Sequence, residues 1–194
     1  MKVFVFLAEI PADICFSEVY PIERQAEIDG TPNDIVKAEK YCTWKLLEKV
    51  LSSRFGARLN DLSPKKKAGG GWVLDGFFLS LSHFEGYASA AVSKKPVGID
   101  IVCPSDRFDK RIYDFITSES EREYFGADVD AFTVAKIFSE KEALVKRGEK
   151  YSTIKSADLT REKVFYKYFK DRGVLLSVAG VDDLEVDAEF VSLN

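Results

Sequence analysis

The run Val97-Gly98-Ile99-Asp100-Ile101-Val102 sets a carboxylate inside a β-branched stretch whose pattern asks for an apolar residue. Side chains of an extended strand alternate between faces, so Asp100 shares one face with Gly98 and Val102. On burial, an unpaired carboxylate there would cost several kcal/mol or change its protonation state. Either Asp100 caps the turn toward Cys103-Pro104, or it faces a metal ion or a fixed cation that offsets the cost.

About forty residues further on comes Phe138-Ser139-Glu140-Lys141-Glu142-Ala143-Leu144-Val145-Lys146. Val134, Ile137, Phe138, Leu144 and Val145 recur at helical spacing, no Gly or Pro interrupts Ala127 to Arg147, and Gly148 follows as a stop, so the spacing predicts a helix ending near Arg147. Lys141 falls inside the apolar arc, one turn from Phe138 and Val145. Its ammonium must therefore snorkel outward or meet an anion. Glu142 lies at the margin of the arc, four residues before Lys146. These two read as an i,i+4 surface pair worth about 0.3–0.5 kcal/mol, or, combined with Lys141 and Asp100, as part of a divalent-metal site for a phosphorylated ligand.

The chain has 194 residues, 46% hydrophobic and 13% aromatic, enough to bury a sizeable core as one globule or two small packed halves. No apolar run is long enough to span a bilayer. The start Met1-Lys2-Val3-Phe4-Val5-Phe6-Leu7 is too short, and too soon acidic at Glu9, for a secretory signal. It reads as the first strand of a cytoplasmic protein. Cys15, Cys42 and Cys103 have neither C-x-x-C spacing nor an even count, so they read as reduced packing residues rather than a disulfide framework or zinc site. A net charge of −4 argues against nucleic-acid binding.

Along the chain, turn-rich residues run to Pro21, and a helix is expected from about Asn33 to Phe55, striped by Ala38, Cys42, Leu46, Val50 and Leu51, with Asn33 in the cap region. Phe77 to Ser82 and Tyr87 to Val92 read as a hairpin around Phe84-Glu85-Gly86, followed by the Gly98 to Val102 strand. The second half repeats the plan, with a helical pattern from about Phe108 to Phe125, the helix ending near Arg147, and strands Val164 to Phe169 and Val174 to Ala179. An α+β fold follows from this order. The loop Lys65-Lys66-Lys67, leading into Gly69-Gly70-Gly71, is either a solvated surface loop or a cationic one that meets a terminal phosphate. It is not a P-loop, since no Gly-Lys-Ser/Thr follows. The single histidine, His83, ends the first hairpin strand. Ser82 beside it cannot form a nucleophile–base pair with it, which excludes triad chemistry.

Leu81-Ser82-His83, Val97-Gly98-Ile99-Asp100, and Phe138-Ser139-Glu140-Lys141-Glu142 with Lys146 together resemble the three ordered signature motifs of the 4'-phosphopantetheinyl transferase superfamily, in its single-chain, Sfp-type form. The resemblance covers about Arg24 to Ala179. It implies two similar α+β halves related by a pseudo-twofold axis, residues 1–97 and 98–194, each a small, mainly antiparallel sheet packed with helices. The active site would lie between the halves of a monomer.

The activity implied is transfer of the 4'-phosphopantetheine arm from coenzyme A to a serine of an apo acyl or peptidyl carrier protein, as in fatty acid, polyketide or nonribosomal peptide synthesis, with release of 3',5'-ADP. By this likeness Asp100 and Glu142 would hold Mg²⁺, or Mn²⁺, and Glu142 would also be the general base. Lys141 and Lys146 would meet the phosphates, His83 and Ser82 the pyrophosphate, and one lysine among Lys65 to Lys67 the 3'-phosphate. Lys40 would be a further contact to coenzyme A. Asp100, Glu142 and Lys146 make up the catalytic set, and Arg107, Lys110 and Arg111 are either a docking patch for an acidic carrier or a solvated helix face. Two departures stand out: Val102 occupies the place of a third acidic ligand, and Phe138 that of a tryptophan. Alternatives are a catalytically silent coenzyme A or carrier-binding protein, motivated by Val102, and a metal-dependent phosphohydrolase using the same carboxylates.

Overall fold

The computed structural model describes residues 1–66, 71–148, 150–181 and 183–193. In chain order its elements are β1 (Lys2–Glu9), α1 (Ile22–Asp29), α2 (Asp34–Phe55), β2 (Lys65–Lys66), β3 (Trp72–Val73), β4 (Phe78–Phe84), β5 (Tyr87–Ser93), β6 (Gly98–Val102), α3 (Lys110–Ile116), α4 (Glu119–Phe125), α5 (Ala131–Arg147), β7 (Phe165–Phe169), β8 (Val174–Ala179) and β9 (Glu185–Phe190). Single 3₁₀ turns occur at Leu59–Leu62 and Ile154–Ser156. One sheet has the order β4-β5-β1-β9, another β6-β8-β7, and β2 pairs with β3. Every pairing is antiparallel except β1 with β9. The fold is α+β.

The apolar runs of these strands follow from burial on both faces. Along β1, Phe4, Phe6 and Ala8 pack with Trp44, Leu47 and Leu51 of α2. The alternate residues Val3, Val5 and Leu7 pack with Ile99 and Ile101 of β6 and Val174, Leu176 and Val178 of β8. On the far side of the second sheet, Val102, Leu175 and Ala179 meet Ala143 and Leu144 of α5. The layers are therefore α2, first sheet, second sheet and α5, with the sheets stacked face to face.

The ends of these elements are set by local chemistry. The Asn33 side chain accepts from Val36 N at 3.1 Å at the start of α2. The hairpin turn carries positive φ at Glu85 and Gly86, as a two-residue hairpin turn of this hand requires. The helical pattern expected over Phe108 to Phe125 forms two helices instead. Ser118 and Glu121 make a capping box that starts α4 afresh after Thr117. Four elements go beyond expectation: α1, a charged helix with only Arg24 and Ile28 buried, the two-residue strands β2 and β3, which pair where Lys65 and Lys66 were expected in a loop, and β9, which follows β8 and extends the first sheet in parallel with β1. Residues beyond 97 thus complete the sheet of residues 1–97.

One contact joins β4 to β6, and another seats α5 on β6. The edge strands β4 and β6 lie side by side without a backbone ladder. The Ser80 and Ser82 hydroxyls instead accept from Ile99 N at 3.0 Å and Ile101 N at 3.3 Å. On the opposite side of β6, α5 crosses Gly98 so closely that an added Cβ would lie 2.0 Å from the Ala143 carbonyl oxygen and 2.3 Å from Arg147 N. Cys15, Cys42 and Cys103 are free thiols, and burial pushes that of Cys42 up to about 11. Among the described residues no helix is long and apolar enough to cross a membrane.

Candidate active site

Asp100 lies mid-strand in β6 on the face that carries Gly98 and Val102, and that face meets α5. Lys146, in the last turn of α5, donates to Asp100 Oδ1 at 2.6 Å and to Ser82 Oγ at 3.1 Å. Ser82 donates to the same Oδ1 at 2.8 Å. Its hydroxyl is therefore fully engaged, giving its hydrogen to Asp100 and accepting from Lys146 and Ile101 N. The close crossing at Gly98 is what brings α5 within reach. A larger residue at 98 would lift Lys146 away from Asp100.

One oxygen of Asp100 remains. Oδ2 is buried and has no hydrogen-bond partner among the described residues, an arrangement that costs about 1–3 kcal/mol, or more for a charged group, unless something meets it. Glu142 is half-buried one turn before Lys146, near enough to Asp100 for the two carboxylates to repel. Burial pushes the Glu142 carboxyl above its usual range. Lys146 draws it down and Asp100 adds to the rise. An orphaned buried carboxylate oxygen beside a second, partly open carboxylate is a donor set that fits a hard divalent cation. Val102 is fully buried in the apolar cluster behind it. Among the described residues no group of three or more His, Cys, Asp or Glu side chains is gathered in a metal-binding arrangement.

A cleft of about 560 Å³ opens beside this pair, lined by Arg24 and Glu27 of α1, Lys40 and Thr43 of α2, Trp72 of β3, Leu79 and His83 of β4, and Lys146. His83 Nδ1 lies 2.9 Å from Glu39 Oε2. Arg24 stacks over Trp44 with its guanidinium 5.0 Å from the ring centroid, and donates to Lys40 O and to Glu27. Lys40 Nζ donates to Thr31 Oγ1 at 3.0 Å. Lys66 pairs with Glu27 at the rim. Adjacent strand residues point to opposite faces, so Lys65 is turned away from the rim. Lys67 lies outside the described residues.

Of the expected residues, Lys146, His83 and Lys40 line the cleft, and Lys146 joins it to Asp100 and Ser82, with Glu142 one turn back along α5. Lys141 is not among them. Its ammonium is fully buried on the other side of α5, donating to Glu121 Oε2, Ile116 O and Ala157 O, each at 2.7 Å. Of the two fates open to it, this lysine meets a protein anion. Arg107, Lys110 and Arg111 are exposed and already paired, with Glu85, Asp114 and Asp109 respectively. Phe138 packs against Phe108, ring centroids 5.7 Å apart.

Four participants come from the structure alone. Glu39 and Thr43 flank the apolar stripe of α2 at i,i+4 spacing, a pattern indistinguishable from an ordinary helix margin. Arg24 sits in a segment too polar to announce a helix. Ser80 repeats Ser82 at the two-residue strand interval, which was the legible signal for a serine-lined edge.

Residues 96–169 match the family model described as the 4'-phosphopantetheinyl transferase superfamily. Over this segment the chain is similar to that superfamily. The match includes β6 with Asp100 and the whole of α5 with Glu142 and Lys146, while the transferase cleft draws its remaining wall, including His83, from residues before it. No curated protein matches the chain. The similarity ties this segment to phosphopantetheinyl transfer in general.

Proposed function

We propose that the protein is a single-chain, Mg²⁺-dependent transferase of the Sfp type, a cytoplasmic monomer built of two pseudo-twofold-related halves. It moves the phosphopantetheine arm of coenzyme A to a serine of an apo acyl or peptidyl carrier protein. The observation that supports this best is the floor of the cleft. There Lys146 and Ser82 occupy one oxygen of Asp100 while the other is left buried and unpaired beside Glu142.

In this reading the serine oxygen forms a bond to the β-phosphorus, the pyrophosphate P–O bond breaks, and 3',5'-ADP leaves with the electron pair. The serine proton passes to Glu142, whose carboxyl burial raises above its usual range. Lys146 neutralises phosphate charge from a fixed position, and His83 and Lys40 hold the pyrophosphate end of the donor in the cleft. Asp100 and Glu142 would hold the cation, which when bound neutralises the phosphate charge that grows in the transition state. The carrier docks near Arg107, Lys110 and Arg111, exchanging their present acidic partners for its own.

Intact-mass spectrometry of a panel of apo acyl and peptidyl carriers, incubated with the protein, coenzyme A and Mg²⁺, tests the reading. A gain of one phosphopantetheine is expected, reduced at least about 10²-fold in Asp100→Ala and Glu142→Ala. A second reading, a coenzyme A-binding protein without transfer, draws on Val102, an apolar residue buried at the edge of the metal site. Coenzyme A binding with no mass gain and no 3',5'-ADP on any carrier would favour it.

A further inference from the structure

One buried carboxylate at the cleft has no part in that chemistry. Glu39 of α2 is 7% exposed, and its Oε2 lies 2.9 Å from Nδ1 of His83. A carboxylate carries no hydrogen, so at this distance a hydrogen on Nδ1 is the arrangement that avoids two facing lone pairs. The partly exposed ring lies against Glu39 at Nδ1 and lines the cleft with Arg24, Lys40 and Lys146.

Every element packed around the ring contributes a charge to it: Glu39 from α2, Lys146 from α5, Asp100 from β6 and Arg24 from α1. Burial is the strongest influence and holds the imidazole below its ordinary value. Glu39 and Asp100 oppose it, and Lys146 and Arg24 reinforce it. With Nδ1–H committed to Glu39, a neutral ring turns a bare lone pair toward the cleft. A phosphate oxygen there would also offer only lone pairs, and two acceptors cannot bond.

We propose that Glu39 is a positioning residue, which fixes the Nδ1–H form of His83 and aims Nε2 into the cleft so that an entering pyrophosphate is met by an imidazolium formed on binding. The step takes one proton from solvent onto Nε2 and breaks no other bond. Glu39 then lies behind a cation, and the ligand in front of it. This deepens the transfer reading and rests on it, since the pyrophosphate is that of coenzyme A. It adds that donor binding is linked to proton uptake, and that a carboxylate of α2 sets the strength of that link.

His83 is the single histidine of the chain, so its ring gives one unambiguous set of ¹⁵N and carbon-bound proton resonances. In the free protein near pH 7.5 these should report the neutral ring protonated at Nδ1. Saturating coenzyme A, and separately inorganic pyrophosphate, should convert it to the imidazolium at the same pH. Calorimetry in buffers of differing ionisation heat should show uptake approaching one proton for each coenzyme A bound. In Glu39→Gln, whose amide oxygen still accepts from Nδ1–H but carries no charge, the bound-state pKa should fall by about one unit and the coenzyme A affinity about tenfold. The KM for coenzyme A should rise while kcat at saturation stays near that of the unsubstituted protein, and the melting temperature should hold. A ring protonated at Nε2 in the free protein, coenzyme A binding without proton uptake, or unchanged uptake in Glu39→Gln would overturn the inference and leave the transfer reading standing. Absence of coenzyme A binding by the unsubstituted protein would overturn both.

Discussion

Two lysines of α5, five residues apart, show what each side of this helix is for. At 3.6 residues per turn Lys141 and Lys146 point about 140° apart. Lys141 is enclosed, its three hydrogens met by Glu121 and two backbone carbonyls. Glu121 is equally saturated, since it also accepts from Ser118 N and Leu159 N. Lys146 is a third exposed and shares Asp100 with a serine, in front of a carboxylate oxygen that has no hydrogen-bond partner among the described residues. The first side is closed chemistry and the second is open. A buried polar group that is fully satisfied can anchor a helix, whereas one left unsatisfied has capacity for a ligand. The anchor ties α5 to α4 and to the 154–157 turn, which fixes the helix against rotation and so holds Glu142 and Lys146 toward β6.

The largest effect should come from breaking the closed side. Lys141→Ala leaves Glu121 ionised, dry and without its cation, so chemical denaturation should show a loss of about 3–5 kcal/mol. Lys146→Ala removes a cation that water can partly replace, and its stability loss should be at most about 2 kcal/mol, while transfer to the carrier falls at least about 10²-fold. Equal stability losses in the two variants would erase the distinction between the sides.

Gly98→Ala should be next in size. The added Cβ meets backbone atoms, Ala143 O and Arg147 N, which cannot rotate away as a side chain could. An overpacking cost of about 1–3 kcal/mol is expected. With the Lys141 end of α5 still anchored, relaxation should lift the Lys146 end. Transfer should therefore drop by a larger factor than a stability loss of that size would produce in a variant distant from the cleft. A variant that loses stability yet transfers at the original rate would show that the crossing at Gly98 does not place Lys146.

These contrasts also separate what the sequence disclosed from what it hid. Asp100 was legible because a charge inside a β-branched run has few inexpensive explanations, and its shared face with Gly98 follows from strand geometry alone. Glu142 and Lys146 were legible as a pair, but not the partners they would find. The side taken by Lys141 was hidden, because an apolar arc shows only that a lysine is buried. The anion that receives it, Glu121, lies twenty residues away. Its Ser118-x-x-Glu121 spacing was a readable capping signal, and the continuous helical pattern of 108–125 masked it. Strand β9 alternates polar and apolar in Glu185-Val186-Asp187-Ala188-Glu189-Phe190, a clear strand pattern. Its parallel pairing with β1, however, is a tertiary choice that no local pattern encodes. Helix α1 offers little apolar surface, and its order comes from contacts such as that of Arg24 with Lys40 O.

The smallest effect separates the open side by its response to pH. Burial holds the His83 imidazole below its ordinary value, so in mildly acid solution the unfolded chain binds a proton that the folded ring resists. Stability from this group is present above about pH 6.5, the unfolded value, and is lost as pH falls through the folded one. Glu140 and Glu142 work in the opposite sense. Burial raises both carboxyls, so the folded state keeps protons that the unfolded chain releases, and their contribution is lost as pH rises from the ordinary carboxylate range toward the raised values. The histidine slope is therefore positive with pH and the carboxylate slope negative. Denaturation midpoints of the unsubstituted protein and of His83→Gln, measured from about pH 5 to 7.5, should diverge at the acid end, with the unsubstituted protein losing stability faster. If the two curves stay parallel, the open side contributes no proton-linked stability through His83, and the link to pH must be sought in the ligand-bound state alone.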